Sequence, residues 1–169
     1  MGRLEMDNNK WRIFSITVVI AALIFFIGGF FAAKNIKENK ADIEPSFITA
    51  KIIKEMHYKN LVPVSPNQVS KHYSIQNGII DNCSIYTSKS SDNASELACF
   101  LLSDKAKFEE LKPIITAHIN KKALGFKSLN PAQYKLLQSA EIVQKGRYVL
   151  VSVGSNAATD TKLFTEILK

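Results

Sequence analysis

Only two cysteines, Cys83 and Cys99, and three histidines, His57, His72 and His118, occur among the 169 residues. No Cys or His pair has the short spacing of a zinc site, so no metal and no other cofactor is assigned, and the histidines read as surface or helix-end residues. A glycine-rich phosphate loop and a nucleophile elbow are both missing, as is an acid pair at helical spacing across a cleft. Glu109 and Glu110 are adjacent, point to different sides of a helix and read as solvated. The chain therefore offers no recognised catalytic residue and is read as non-enzymatic. It also lacks solenoid repeats and low-complexity tracts.

What the sequence does have is one long apolar run. Residues 13–33, IFSITVVIAALIFFIGGFFAA, carry no charged side chain. As a helix this segment would extend about 30 Å, the thickness of a bilayer's hydrocarbon core. Lys10 and Arg12 precede it and Lys34 and Lys37 follow it. A cleavable signal has a shorter apolar core ending in small residues at alternate positions, whereas Phe30 and Phe31 occupy the key positions here. No cysteine follows until Cys83, which leaves no lipoprotein acylation site. The expectation is an uncleaved, single-pass transmembrane helix. Flanking Lys and Arg tie at three on each side (Arg3, Lys10 and Arg12 against Lys34, Lys37 and Lys40). A large domain after an anchor translocates largely regardless of its charge, which favours residues 1–12 as a cytoplasmic tail and the C-terminal domain outside the cell membrane.

Residues 34–44 are highly charged and read as a tether, leaving 45–169 for one extracytoplasmic domain with its own core. The stripe Ile48, Ile52, Ile53 and Met56 predicts a helix over 46–57. The prolines of LVPVSP predict an extended connector, and Ser65-Pro66 a short helix through about His72. Asn77-Gly78 marks a turn before a strand at 80–87, with a second strand at 96–102. A longer helix follows a cap at Ser103 or Asp104, with Phe108, Leu111, Ile114, Ile115, Ile119 and Leu124 as its apolar set. Pro113 should kink or restart that helix and Gly125 should end it. Pro131 opens a short helix with Leu136 and Leu137. Strands at 140–144 and 147–153, joined at Lys145-Gly146, precede a last helix over 158–168. Paired hairpins followed by helices predict an α+β domain, a four-stranded antiparallel sheet covered on one face.

Two side-chain arrangements stand out. If the first hairpin centres on Ser91, Cys83 and Cys99 face each other, giving a possible disulfide in an oxidising compartment, though a one-residue register shift removes it. Glu96 opens a strand whose other residues are all apolar, and its expected partner is Arg147 or Lys145 at the neighbouring hairpin; a role as a site acid is the alternative. Charge is the remaining feature. Residues 1–44 carry six Lys and Arg against five Asp and Glu, while 45–169 carry sixteen against ten. A basic domain at a membrane surface suits anionic headgroups, an anionic wall polymer or an envelope protein. Nothing in the sequence is a nucleic-acid recognition motif, so nucleic acid is not expected as a partner.

The stretch from Glu96 through the last strand resembles the bacterial family known as domain of unknown function 4358. The matching positions are the acidic Glu96 opening a strand, Phe126 followed by Pro131, and Gly146 and Tyr148 in a Gly-x-Tyr hairpin. The chain departs from that pattern at His118, Lys122 and Leu129, where Arg, Gln and an aromatic are usual. The resemblance implies a domain held outside the membrane of low-GC Gram-positive bacteria, often as a lipoprotein, and carries no activity with it. A binding or assembly protein of the cell envelope is the leading functional expectation. An accessory factor in envelope polysaccharide modification, such as O-acetylation, and a small hydrolase or transferase with an unrecognised site are the alternatives.

The anchor has a direct consequence. Burial of the apolar run is insensitive to salt, unlike attachment through a basic patch. The full chain should stay with membranes through high-salt and carbonate washes, while residues 45–169 alone should be soluble. Release of the intact full chain by carbonate would overturn the transmembrane reading.

Overall fold

Two strands that never alternate between apolar and polar organise the domain. In β3 (Glu96–Leu102) and β5 (Tyr148–Val153) every residue is buried. A strand reads this way when both faces of its sheet are covered. The computed structural model describes residues 42–169 and places β3 and β5 side by side at the centre of a five-stranded antiparallel sheet. The remaining strands are β1 (Leu61–Pro63), β2 (Ile80–Ser88) and β4 (Glu141–Lys145), in the order β1-β2-β3-β5-β4. Residues Ile43–Lys169 make up this unit. The apolar run at 13–33 and most of the tether lie outside the described residues, among which no helix is long and apolar enough to cross a membrane.

Five helices complete the α+β unit: α1 (Pro45–Glu55), α2 (Val69–Tyr73), α3 (Phe108–Phe126), α4 (Pro131–Gln138) and α5 (Ala157–Ile167). They cover both faces, not one. On the first face Ala98, Phe100, Leu102, Val149, Val151 and Val153 meet Tyr73 of α2, Leu111, Ile115 and Ile119 of α3, and Leu137 of α4. On the second, Leu97, Cys99, Leu101, Tyr148 and Leu150 meet Ile48 and Ile52 of α1 and Phe164 of α5. The apolar sequence of β3 already carried this signal, because a strand with one solvated face would need polar residues at every second position.

The fifth strand, β1, falls where an extended connector was expected. It pairs with β2 through Leu61↔Ser88 and ends at Pro63, which an edge strand tolerates because its outer side has no ladder to complete. α3 runs unbroken through Pro113 to Phe126, so Pro113 does not restart it and Gly125 does not end it. Its buried stripe is Leu111, Ile115, Ile119 and Ala123, whereas Leu124, one position off that stripe, is 70% exposed. Asp104 Oδ1 accepts from the Ala106 N–H at 2.8 Å, starting the turn that leads into α3. The β4–β5 hairpin turns through two residues, with Gly146 at φ 62° in the first position, as a type II′ turn needs.

α1 closes with a Schellman motif. The Tyr58 N–H bonds the Ile53 carbonyl at 3.1 Å and the His57 N–H bonds that of Lys54 at 3.2 Å. His57 takes the left-handed φ of 55° that this motif requires. Tyr58 and Ile53 both pack against the second-face core, so the cap also fixes how the chain leaves the helix.

The two leucines provide a paired test. Leu150 is fully buried, so Leu150→Ala should cost about 2–5 kcal/mol. Leu124→Ala should change stability by less than about 0.5 kcal/mol. Chemical denaturation of both variants checks the assignment of the core, and equal losses would contradict it.

Candidate functional site

Glu96 occupies the first position of β3 with its side chain on the first face, and it is 2% exposed. A carboxylate removed from water at this depth needs several donors to remain ionised. Four side chains converge on it from two helices. The Tyr73 hydroxyl donates to Oε1. Lys122 Nζ donates to Oε2 at 2.7 Å. His118 Nε2 lies 3.1 Å from each carboxylate oxygen. His72 Nε2 stands 3.6 Å from Oε2, beyond hydrogen-bonding distance, and is buried without a hydrogen-bond partner. His118 and Lys122 sit one turn apart on α3, so both reach the same strand end.

The expected partners of Glu96 are engaged elsewhere. Arg147 pairs with Asp81, the residue at a bulge in β2, and donates to the Leu102 carbonyl at 2.8 Å. Lys145 donates to the Thr165 carbonyl at 2.7 Å. Antiparallel pairing explains the difference: the β4–β5 turn adjoins the Leu102 end of β3, while Glu96 lies at the other end, opposite Val153.

The rings around the carboxylate form a packed group. His118 stacks on Tyr73 with centroids 4.2 Å apart, and His72 tilts against His118 at 4.7 Å. Phe100 closes the group edge-on to Tyr73 at 5.1 Å. His118 Nδ1 lies 3.0 Å from the His72 backbone carbonyl. A carbonyl only accepts, so Nδ1 carries the proton of that bond. Burial pushes the Glu96 carboxyl up. The hydrogen bond from His118, the nearby His72 ring and the charge of Lys122 outweigh that effect and hold it well below the usual carboxylate range. Burial, then the charge of Glu96, holds the Tyr73 phenol well above its ordinary value.

In front of this cluster is a recess of about 260 Å³ between the end of α2 and one face of α3. Lys71, His72, Tyr73 and Ser74 line one side, and Ile114, Ala117, His118 and Lys121 the other. Among the described residues no acidic side chain lines it, and Glu96 lies behind the histidines. Ser74 has a φ of 54°, directly after the last residue of α2, where a helix commonly ends in a left-handed residue.

Sequence reasoning singled out Glu96 but missed Tyr73, His72, His118 and Lys122. One signal was available: His118 and Lys122 flank the buried Ile115, Ile119 and Ala123 of α3, so two nitrogen-bearing polar side chains border an apolar stripe. His72 and His118 are half-buried neighbours, not scattered surface residues, because the loop and strands between them return the chain to the same sheet end. His57 alone is exposed, at the end of α1.

The disulfide geometry is not present. Cys83 stands opposite Phe100 and Cys99 opposite Ser84, one residue away from the register that would pair them. Cys83 packs on the first face and Cys99 is buried in the second, and both thiols are free. Burial pushes both thiols up, and they are correspondingly unreactive. The remaining family-pattern positions fall at the boundaries of elements. Phe126 ends α3, Pro131 begins α4, Gly146 makes the hairpin turn and Tyr148 begins β5.

A second buried acid, Asp160 of α5, accepts from Tyr58 at 2.8 Å and from Ser152 at 2.6 Å. Burial raises its carboxyl above the ordinary value, against those two bonds. It ties α5 to β5 and to the cap of α1 on the second face, and none of its partners lines the recess.

Removing the Glu96 charge leaves Lys122 beside it without a counter-ion. Glu96→Gln should therefore cost about 3 kcal/mol at neutral pH, read from denaturation midpoints. The sign with pH follows from the depressed carboxyl. Its contribution is present above about pH 4.3, the ordinary value, and is lost as pH falls toward the folded one. The variant should thus lose less stability on acidification than the wild type. Identical acid limbs would contradict this.

No curated protein and no solved structure matches the chain. Residues 54–154, from the end of α1 to just beyond β5 and including every member of the Glu96 cluster, match the family described as Domain of unknown function (DUF4358). The chain belongs to that family.

Proposed function

We propose that this is a single-pass, membrane-anchored protein of the cell envelope whose outer domain binds an anionic polymer without catalysing a reaction. The observation that carries the reading is the recess lined by Lys71, His72, His118 and Lys121, with no acidic residue among its walls in the described part of the chain. The buried carboxylate behind it, Glu96, is already matched by Lys122. A phosphate or carboxylate group entering the recess therefore meets positive charge that nothing in the lining neutralises. The basic balance of 45–169, sixteen Lys and Arg against ten Asp and Glu, supports the same choice of ligand. Exposed charge pairs contribute about 0.2–1 kcal/mol each, so a single anionic group would be held weakly. A polymer with repeated phosphates gains through effective concentration, which favours a wall polymer over a small anion.

A small hydrolase or transferase is the second reading. It is favoured by the gathering of Glu96, two histidines and Ser74 at one recess. The left-handed backbone of Ser74 is accounted for by its place at the end of α2, and this reading rests on proximity alone.

The test is binding of poly(glycerol phosphate), compared with glycerol phosphate, by the full chain in a non-ionic detergent. The polymer should bind more tightly, and its affinity should fall as salt is raised. Lys71→Ala and Lys121→Ala should each weaken it up to about fivefold. Polymer affinity unchanged by both substitutions would reject the recess as the site.

A further inference from the structure

Two imidazole nitrogens face the Glu96 carboxylate, and one of them, His72 Nε2, has no hydrogen-bond partner. His118 Nδ1 donates to the His72 carbonyl, which in a neutral imidazole leaves Nε2 as a lone pair. That lone pair faces both oxygens of Glu96 at 3.1 Å. His72 Nε2, buried and unbonded, approaches the same carboxylate at 3.6 Å. The contact between His118 Nε2 and the carboxylate therefore takes either a second proton on His118, as in the hydrogen bond described above, or a metal ion between the two.

We propose that His72, Glu96 and His118 form a binding site for a first-row divalent transition metal such as zinc. Their ligand atoms all lie within 4.8 Å of one another. Two ligands each about 2.1 Å from a tetrahedral ion would be roughly 3.4 Å apart. The separations of 3.1 and 3.6 Å from Glu96 to the two imidazoles bracket that value. Two imidazoles and one carboxylate select zinc, cobalt, nickel or iron over calcium or magnesium, which take oxygen ligands. The bond from His118 Nδ1 to a backbone carbonyl is the usual outer partner of a ligating histidine and fixes the ring with Nε2 inward. Both histidines also line the recess, which gives the ion a way in from solvent.

Lys122 is the competing cation. Its ammonium holds Oε2 at 2.7 Å, and its side chain is 19% exposed. The flexible stem allows Nζ to move toward solvent when a metal takes the oxygen. The site thus has two alternative cations on one carboxylate, and removing the lysine should strengthen the other. The inference does not depend on the anionic-polymer reading, because metal binding is measured with no polymer present.

The experiment uses the full chain in detergent, without a polyhistidine tag and stripped with chelator, titrated with zinc and cobalt(II) alone. Calorimetry gives affinity, and the visible absorption of cobalt gives coordination. One saturable site is expected, with an intense cobalt spectrum of low coordination number. His72→Gln should lower affinity at least about tenfold. His72 Nε2 makes no hydrogen bond, but its ring packs on Tyr73 and His118, so circular dichroism verifies the fold of this variant. Lys122→Gln should raise affinity, and circular dichroism would verify its fold; the wild-type and His72→Gln titrations decide the proposal without it. No saturable binding by the wild type would overturn the proposal and make a proton on His118 the cation of the cluster. Binding unaffected by His72→Gln would equally overturn it, placing the metal elsewhere.

Discussion

Burying a carboxylate at the end of a central strand is the constraint on which the first face of this domain depends. Glu96 is almost without solvent, and its charge survives only because Tyr73, His118 and Lys122 are brought to it. Tyr73 comes from α2 and the other two from α3, so one side chain fixes both helices against β3. An apolar residue at position 96 would leave those helices to general packing, which is tolerant of small shifts. A charge that must be met within hydrogen-bonding distance is not tolerant, and leaving it unmatched is costly.

The same constraint gives the domain its chemical asymmetry. The second face also contains a buried acid, but Asp160 receives only neutral hydroxyl donors, and burial raises its carboxyl. Glu96 meets the Lys122 ammonium, the His118 ring and the Tyr73 hydroxyl, and its carboxyl is held low. Asp160 joins α5, β5 and the α1 cap into a packed layer. Glu96 instead lies behind a recess whose walls carry Lys71, His72, His118 and Lys121. Lys122 and the two histidines gather on the first face around that ionised carboxylate.

Much of the fold was legible in the chain. The amphipathic stripe of α1, the strand at 96–102, the Gly146 turn and the helix after Asp104 all follow from periodicity and turn chemistry. The missing pieces have specific causes. β1 is three residues long and contains Pro63, and only its pairing with β2 makes it a strand. Leu124 is large and apolar, but five positions beyond Ile119 it lies away from the buried stripe. Cover on both faces is legible in the apolar run of β3 after Glu96 and in β5, where Ser152 is the one residue that breaks the run, so one covered face is the wrong expectation for them.

The sequence alone marks an apolar segment long enough to cross a bilayer, a basic domain after it, an α+β order of elements and an acid at an apolar strand. Each of these depends on neighbours along the chain: run length, periodicity, local charge and turn residues. Tertiary structure decided which residues meet that acid and whether the cysteines meet each other. Antiparallel pairing sent Glu96 to the strand end away from Arg147 and Lys145. A one-residue difference in register put Cys83 and Cys99 on opposite faces of the sheet, because side chains alternate with a period of two. His72 and His118, 46 positions apart, became neighbours only when α2 and α3 packed over the same end of β3.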